Sequence, residues 1–193
     1  IMKKIMMIAV MAVAAISANA QMWVGGNLGF NTEKTKFEDT ELSSGTSFEI
    51  APEVGYNLNE KWAVALALGY GHYDAGTVKF AGKEVSGIIN TFSIKPYVRY
   101  TFVKAGNFSA FCDGVLDYST THVNGVENNL NSWGLAVTPG IAYAISPKVS
   151  LVAHVGEIGY DHTWFDAGVG DVTNNKFGIN LTNAISFGAY VNL

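Results

Sequence analysis

Residues 177–193 read FGINLTNAISFGAYVNL, and their side chains alternate between two kinds. The odd-numbered positions are apolar except for Asn183, whereas the even-numbered positions are small or polar except for Tyr190. Successive side chains of a β-strand point to opposite faces, whereas a helix repeats about every 3.6 residues. The stretch therefore predicts one long strand with an apolar face, and it places Tyr190 on the opposite face.

The same alternation returns along the chain and gives the number of strands. It is clear in four further segments, which span 47–58, 62–71, 91–102 and 133–143. It is weaker but compatible in three others, which span 22–31, 108–119 and 149–160. In the last of these the pattern becomes ambiguous near Gly156, where we expect a β-bulge. The sequence thus predicts eight strands.

The connections between these strands alternate in length. Short connections at one end and long polar ones at the other are typical of a β-barrel that crosses an outer membrane. The short ones lie at 57–61, 103–107 and 146–148, and the long ones at about 32–45, 74–87, 120–131 and 161–176.

A motif of the form Pro-x-(Val/Ile)-x-Tyr occurs three times, at 52–56, 96–100 and 139–143. Each copy ends a strand just before a short connection, so the repeat length is one hairpin. The motif tyrosine falls where an interfacial aromatic side chain belongs. Proline donates no hydrogen bond to a ladder, and a closed barrel has no free edge. We therefore expect a local bulge at each of the three prolines.

The first twenty residues have the features of a secretory signal peptide. Lys3 and Lys4 precede an apolar run at 5–16, and Ala18-Asn19-Ala20 has the A-x-A form of a cleavage site. The run is too short for a transmembrane helix. We expect residues 1–20 to be removed, with Ala18 and Ala20 marking the cleavage site, and residues 21–193 to form the barrel domain.

The composition narrows the class of protein further. The formal net charge of −4 argues against a nucleic-acid partner, because proteins that bind nucleic acids are normally basic. The one cysteine, Cys112, excludes an internal disulfide. Although 49% of the residues are hydrophobic, no segment beyond the leader has eighteen continuous apolar residues. An exported apolar chain of this kind is typical of a transmembrane β-barrel.

The sequence resembles the small eight-stranded outer-membrane barrels, the group of the OmpA N-terminal barrel and the OmpX-like proteins. It is most similar in character to single-domain outer membrane β-barrel proteins of Bacteroidetes. The supporting features are the leader, the first strand at 24–30, the three proline motifs and the terminal 187–193. In that terminal stretch Phe187, Tyr190 and Leu193 resemble the signal read by barrel-assembly machinery, with Leu193 where phenylalanine is usual.

The resemblance implies an all-β fold, an eight-stranded antiparallel up-and-down transmembrane β-barrel. It implies a monomeric integral protein of the bacterial outer membrane, surrounded by outer-membrane lipid and lipopolysaccharide. It also implies contact with the barrel-assembly machinery during biogenesis. Aromatic girdles should mark the two membrane interfaces. By position they comprise Tyr56, Trp62, Tyr100 and Tyr143 at the inner interface and Tyr118, Trp133, Tyr160 and Trp164 at the outer one.

Charged residues on the polar face of the strands are the main candidate site. Eight strands enclose a lumen just wide enough for packed side chains, and buried charges are normally paired. We therefore expect a charge network that plugs the lumen. The alternative is a small pore for ions or small solutes, in which the same charges form a gate. The network comprises Glu49, Glu53, Lys95, Arg99, Asp113 and Asp117.

Catalytic and metal sites are the remaining candidates. Some small barrels are lipid A deacylases or acyltransferases, which need a nucleophile beside a base. None of His72, His122, His154 and His162 lies in a His-x-Ser stretch, and we interpret them as interfacial or loop residues. The acidic residues of the long connections match no compact calcium loop. They remain able to bridge lipopolysaccharide phosphates through divalent cations.

The sequence therefore predicts a non-enzymatic protein without a cofactor or metal. Its role would be structural, with surface contacts made by four outer loops to host or envelope partners. A soluble lipocalin-like binder is a further alternative, and it would place the apolar faces of the strands inside.

Overall fold

The computed structural model describes residues 21–37, 40–80, 83–124, 128–166 and 171–193, so the predicted leader lies outside the described residues. Each strand pairs with its sequence neighbours in antiparallel fashion, and the first pairs with the last to close a barrel. The predicted fold class is confirmed. The strands are β1 (Met22–Phe37), β2 (Thr40–Asn57), β3 (Trp62–Phe80), β4 (Lys83–Ala105), β5 (Phe108–Val123), β6 (Leu130–Ala144), β7 (Val149–Asp166) and β8 (Asp171–Asn192).

The period-two alternation puts the apolar side chains outside the barrel. On β3, Leu66 and Leu68 are exposed, whereas Ala63 and Ala67 are buried in the lumen. An apolar exterior suits lipid and rules out the lipocalin-like alternative, which requires the opposite arrangement. The described ranges contain no helix long and apolar enough to cross a membrane.

The inner end of the barrel has the predicted short turns. In the β2–β3 turn the Asn59 side-chain oxygen accepts hydrogen bonds from the backbone N–H groups of Lys61 and Trp62, both at 2.9 Å. The β4–β5 turn contains Gly106 with a φ of 59°, a left-handed conformation that favours glycine.

The outer end differs from the prediction of long loops. β1 and β2 stay paired as far as Phe37 and Thr40, and β3 and β4 as far as Phe80 and Lys83. The predicted loops at 32–45 and 74–87 are therefore mostly paired strand, and so is much of 161–176. Pairing satisfies the backbone N–H and C=O groups of these segments, which the polarity of their side chains alone does not reveal.

The three motif prolines interrupt the ladder in two ways. The register shifts between Val137 and Gly140, so the bulge expected at Pro139 is confirmed. At Pro52 and Pro96 the expected bulge is wrong. Each of these prolines keeps its partner on the preceding strand, while the ladder to the following strand skips it without a change of register.

The bulge expected near Gly156 is confirmed. The β7–β8 register shifts between Val155 and Glu157, and Gly156 has a φ of 77°. The bulge reverses the alternation along β7. Odd-numbered Val155 faces outward below it, and even-numbered Ile158 faces outward above it.

Candidate functional site

The centre of the lumen holds a buried ion pair between β4 and β5. Arg99 and Asp113 lie directly opposite each other in the ladder. Arg99 Nε donates to Asp113 Oδ1 and Arg99 Nη2 donates to Asp113 Oδ2, both at 2.7 Å. The guanidinium and carboxylate therefore form the bidentate arrangement that fixes both groups in one orientation. Both side chains are buried.

Aromatic rings surround the Arg99 guanidinium on its remaining sides. The Phe111 ring centroid lies 3.7 Å from Arg99 Cζ, and Arg99 Nη2 donates to the Tyr190 hydroxyl at 3.1 Å. Trp23 stacks on Tyr190 with ring centroids 4.2 Å apart. A cation over aromatic faces is stabilised by the ring quadrupoles, and the rings exclude water from the ion pair.

Glycines on neighbouring strands make room for these rings. Trp23 lies opposite Gly55 and Phe111 lies opposite Gly140 in their ladders. A Cβ atom at either glycine would overlap the aromatic ring opposite. The flat inner face at these glycines is thus what lets large rings fill so narrow a lumen.

Glu53 is buried beside the ion pair but is held by neutral groups. The Tyr97 hydroxyl donates to Glu53 Oε2 at 2.6 Å, and Asn27 Nδ2 donates to Glu53 Oε1 at 3.1 Å. Among the described side chains no cation lies within ion-pair distance of this carboxylate.

His154 also belongs to the lumen, so its interpretation as an interfacial or loop residue is wrong. Its Nε2 lies 3.0 Å from Asp113 Oδ2 and 3.3 Å from Arg99 Nη2, and its Nδ1 lies 3.5 Å from Ser186 Oγ. Ser186, His154 and Asp113 thus lie side by side in the lumen. The serine contact is too long for a strong hydrogen bond, and Arg99 donates to both carboxylate oxygens of Asp113.

We call this group the interior layer. Its members are Trp23, Glu53, Tyr97, Arg99, Phe111, Asp113, His154 and Tyr190.

A second ion pair lies closer to the outer end. Lys95 Nζ is 3.0 Å from Asp117 Oδ2, and both side chains are about one-third exposed. Glu49 is exposed and lines the same cavity. The structure therefore divides the six predicted lumen charges into two groups, with Glu53, Arg99 and Asp113 in the interior layer and the other three beyond it.

A cavity lies on each side of the interior layer. The outer cavity, of about 540 Å³, reaches Glu53, Tyr97 and Asp113. The inner cavity, of about 480 Å³, reaches Arg99 and Phe111 from the side of the short turns. The two share no lining residue, so the interior layer separates them.

Aromatic side chains cluster near both ends of the wall. Trp62 and Tyr100 are paired across β3 and β4, with ring centroids 4.7 Å apart, at the inner end. At the outer end Trp133 lies 5.6 Å from Tyr160, and Tyr118 lies 6.5 Å from Trp164. Of the other predicted girdle members, Tyr143 is exposed and Tyr56 half-buried. Tyr70, which the prediction omitted, is also exposed on the outer wall.

The three residues predicted to form the C-terminal assembly signal lie in different environments. Phe187 faces outward, whereas Tyr190 belongs to the interior layer. The backbone N–H of Leu193 donates to the Met22 carbonyl at 2.9 Å, at the closure of the barrel. Ala18 and Ala20 lie outside the described residues.

The remaining histidines each contact an asparagine. These pairs are His72 with Asn90, His122 with Asn129 and His162 with Asn175. Within the described part of the chain no three histidine, cysteine, aspartate or glutamate side chains are grouped to hold a metal ion. Cys112 is half-buried on the outward-facing parity of β5.

Comparison with known proteins agrees with this geometry. Residues 5–183 match the model of the outer membrane protein β-barrel domain. The chain belongs to this family. It is an integral protein of the outer membrane, and its short turns correspond to the periplasmic end of such barrels. Comparison with functionally curated proteins gives no match.

Solved outer-membrane barrels share the fold of this family member. Neisserial surface protein A is 20% identical with a TM-score of 0.53, covering 91% of this chain and 98% of that one. OprG from Pseudomonas aeruginosa is 14% identical with a TM-score of 0.54, covering 89% and 95%. A major outer membrane protein from Thermus thermophilus is 14% identical with a TM-score of 0.51, covering 90% and 98%. At these identities the likeness concerns the fold alone.

Proposed function

We propose that this protein is a non-enzymatic structural component of the outer membrane, with a closed lumen, that acts through its outer hairpins. The observation that carries the proposal is the interior layer. Arg99 and Asp113 are held bidentately, and aromatic rings pack around them. Because removing one member of a buried ion pair is costly, the layer resists opening.

The outer hairpins are the part of the molecule available to partners. A transmembrane strand needs about 9–11 residues. β3 has 19 residues and β4 has 23, so this hairpin extends well beyond the bilayer. Partners of this surface would be lipopolysaccharide, host surfaces or neighbouring envelope components.

The absence of an enzymatic role is part of the same proposal. Each described histidine is engaged by asparagine or by the interior layer. Ser186 Oγ lies 3.5 Å from His154 Nδ1, and Asp113, which contacts Nε2 of the same ring, is already held by Arg99. Such a group has no free base to activate a nucleophile.

A small pore is the second candidate, because cavities lie on both sides of a single layer of side chains. Rearrangement of the interior-layer side chains would bring the two cavities into contact. In this interpretation the interior layer acts as a gate.

Two assays separate the candidates. The first is swelling of liposomes that contain the refolded protein in solutions of small sugars and amino acids. We expect no more swelling than in protein-free liposomes, and solute-dependent swelling would favour the pore.

The second assay compares surface attachment of cells that carry the full protein with that of cells whose β3–β4 hairpin is shortened. We expect attachment to fall, and unchanged attachment would remove the role of that hairpin.

A further inference from the structure

An apolar groove crosses the outer wall of the barrel. It has a volume of about 760 Å³ and runs from Val64 on β3 to Phe177 on β8. Val64 lies near the inner end of its strand, two residues after Trp62, whereas Phe177 lies opposite Tyr160 near the outer end of the barrel. The groove therefore climbs obliquely through the hydrocarbon region of the membrane.

The length of the groove matches the depth of one leaflet. From β3 to β8 it crosses five spacings between adjacent strands, which at about 4.8 Å each give about 24 Å. At a strand tilt of about 40°, a row of this length descends by about 15 Å, which is half of a hydrocarbon core about 30 Å thick. A lipid chain that starts at the outer interface therefore fits along the groove.

Gly114 forms the floor of the groove. It lies on the outward face of β5, between Val98 on β4 and Val137 on β6. A Cβ atom at this glycine would meet no atom closer than 3.9 Å, so the space in front of it is open. Leu116 and Leu135 line the side of the groove that is nearer to the outer interface. A larger side chain at position 114 would therefore fill the groove.

A smaller pocket lies at the outer end of the groove. Its volume is about 350 Å³, and its lining consists of Trp133, His162, Trp164 and Thr173. Trp133 and His162 are the next outward residues beyond Leu135 and Tyr160, which line the groove. The rings of Trp133 and Tyr160, with centroids 5.6 Å apart, connect the pocket to the groove. The two form one continuous surface on the outer wall.

Asn175 fixes the orientation of His162 in the pocket. Its side-chain oxygen accepts hydrogen bonds from the Tyr160 hydroxyl and from His162 Nδ1, both at 2.7 Å. Because an amide oxygen only accepts, Nδ1 carries the proton of the neutral ring, and Nε2 is an acceptor. The Thr173 hydroxyl is a further donor and acceptor in the pocket. The described side chains that line this pocket include no carboxylate, lysine or arginine.

The same hydrogen bonds occur a second time, away from the pocket. The Tyr70 hydroxyl and His72 Nδ1 lie 3.0 and 2.8 Å from Asn90 Oδ1. His162 differs from His72 in its tryptophan neighbours, whose ring centroids lie 6.0 and 5.7 Å from its own. His72 lines neither the groove nor the pocket. It therefore provides an internal control for the role of His162.

We propose that the groove and the pocket together bind a glycolipid of the outer leaflet, with its sugar head in the pocket and one acyl chain along the groove. Tryptophan rings pack against the apolar face of a sugar, and His162 and Thr173 supply hydrogen-bond partners for its hydroxyl groups. A head group that carries a charge would find no oppositely charged partner among the residues that line the pocket. This inference does not depend on whether the lumen is closed, because the site lies on the outer wall.

The first test is head-group selectivity, measured by native mass spectrometry of the protein released from a neutral polyoxyethylene detergent. We expect dodecyl maltoside to bind as one adduct, about tenfold more tightly than dodecylphosphocholine, which has the same chain and no sugar. His162→Phe keeps an aromatic ring but removes the acceptor, so it should reduce maltoside binding about tenfold. His72→Phe is the matched control and should leave binding unchanged.

Three results of this experiment would overturn the proposal. Equal binding of the two amphiphiles would exclude a sugar site, and full binding by His162→Phe would exclude the pocket as its location. Protein dimers without adducts would show instead that a second copy of the chain covers the groove.

The second test locates the chain of the bound amphiphile. Dodecyl maltoside with a diazirine at the end of its chain is irradiated with the protein, and the adducts are mapped by peptide mass spectrometry. We expect adducts at Leu116, Leu135 and Val137, and Gly114→Leu should remove most of them because its side chain fills the groove. Ala189→Leu, at an exposed outward position of β8, is the matched control and should leave them unchanged.

The heat-shifted gel band shows that both leucine variants are folded. Adducts spread evenly around the wall would contradict the groove as the site of the chain, as would labelling that Gly114→Leu does not reduce.

Discussion

Arg99 and Asp113 lie directly opposite each other across β4 and β5, joined by two 2.7 Å hydrogen bonds in the centre of the barrel. Four residues closer to the outer end of each strand, Lys95 and Asp117 form a second pair of the same polarity. The first pair is buried and the second is partly open to the outer cavity. This repetition provides two ion pairs of matched chemistry and different burial.

The buried pair should contribute far more to stability than the exposed one. Asp113→Asn leaves the Arg99 charge buried without its partner, and we expect a loss of about 3–5 kcal/mol. Asp117→Asn is the matched control, and we expect a loss of about 0–1 kcal/mol because its pair is partly solvated. Reversible urea unfolding in detergent micelles or lipid vesicles measures both. Equal losses of stability would contradict the assignment of Arg99 and Asp113 to a buried interior layer.

The hydroxyl of Tyr97 should stabilise the barrel through Glu53. Tyr97→Phe removes the donor to Glu53 Oε2 and keeps the Asn27 donor to Oε1. We expect a loss of about 1–3 kcal/mol, the cost of an unsatisfied buried acceptor. Tyr100→Phe, on the outward face of the same strand, serves as the control in the same unfolding assay. An unchanged free energy of unfolding in Tyr97→Phe would mean that the Glu53 carboxylate finds another hydrogen-bond donor.

Gly55 should tolerate no side chain. A methyl group at this position would overlap the Trp23 ring, so Gly55→Ala should cost about 1–3 kcal/mol and reduce the folded fraction. At Gly114, on the outward face of β5, the nearest atom to an added Cβ is 3.9 Å away. Gly114→Ala should therefore fold normally. The fraction of heat-shifted protein on a gel compares the two, and normal folding of Gly55→Ala would contradict the packing of Trp23.

The outward apolar band should lie in lipid. Leu66 is midway between Trp62 and Tyr70 on the outer face of β3. Leu66→Arg should cost about 2–4 kcal/mol, whereas the same substitution at Leu58, in the inner turn, should cost about 0–1 kcal/mol. Unfolding from lipid vesicles provides the measurement. A similar cost at both positions would place Leu66 outside the hydrocarbon.

Alternation in the sequence was sufficient to predict the number of strands and most of the charged residues that face the lumen. The period of two is a property of each strand by itself. The alternation therefore predicted that Arg99 and Asp113 face the lumen. It also predicted that Tyr190 faces inward, although the C-terminal stretch is mainly apolar.

Which charges pair could not be predicted in this way. Near the β4–β5 turn Ala105 is opposite Phe108, and a register shift between Thr101 and Val103 then brings Arg99 opposite Asp113. Without that shift Arg99 would face Gly114. A single register shift thus determines which carboxylate pairs with Arg99. The alternation of side chains does not reveal where this shift occurs.

His154 was missed for a related reason. The bulge at Gly156 reverses the alternation along β7, so the parity of neighbouring residues was ambiguous. The glycines opposite Trp23 and Phe111 were a usable signal, because a glycine in a lumen-facing position indicates a large side chain across from it.

The most direct test of the closed lumen is single-channel recording of the refolded protein in a planar bilayer. For the native chain we predict no discrete conductance steps above those of a protein-free bilayer. Arg99→Ala, checked for its heat-shifted band, is the comparison, because it removes a central member of the interior layer that separates the inner and outer cavities. It should give small, frequent steps. Stable steps from the native protein, unchanged in Arg99→Ala, would contradict the account.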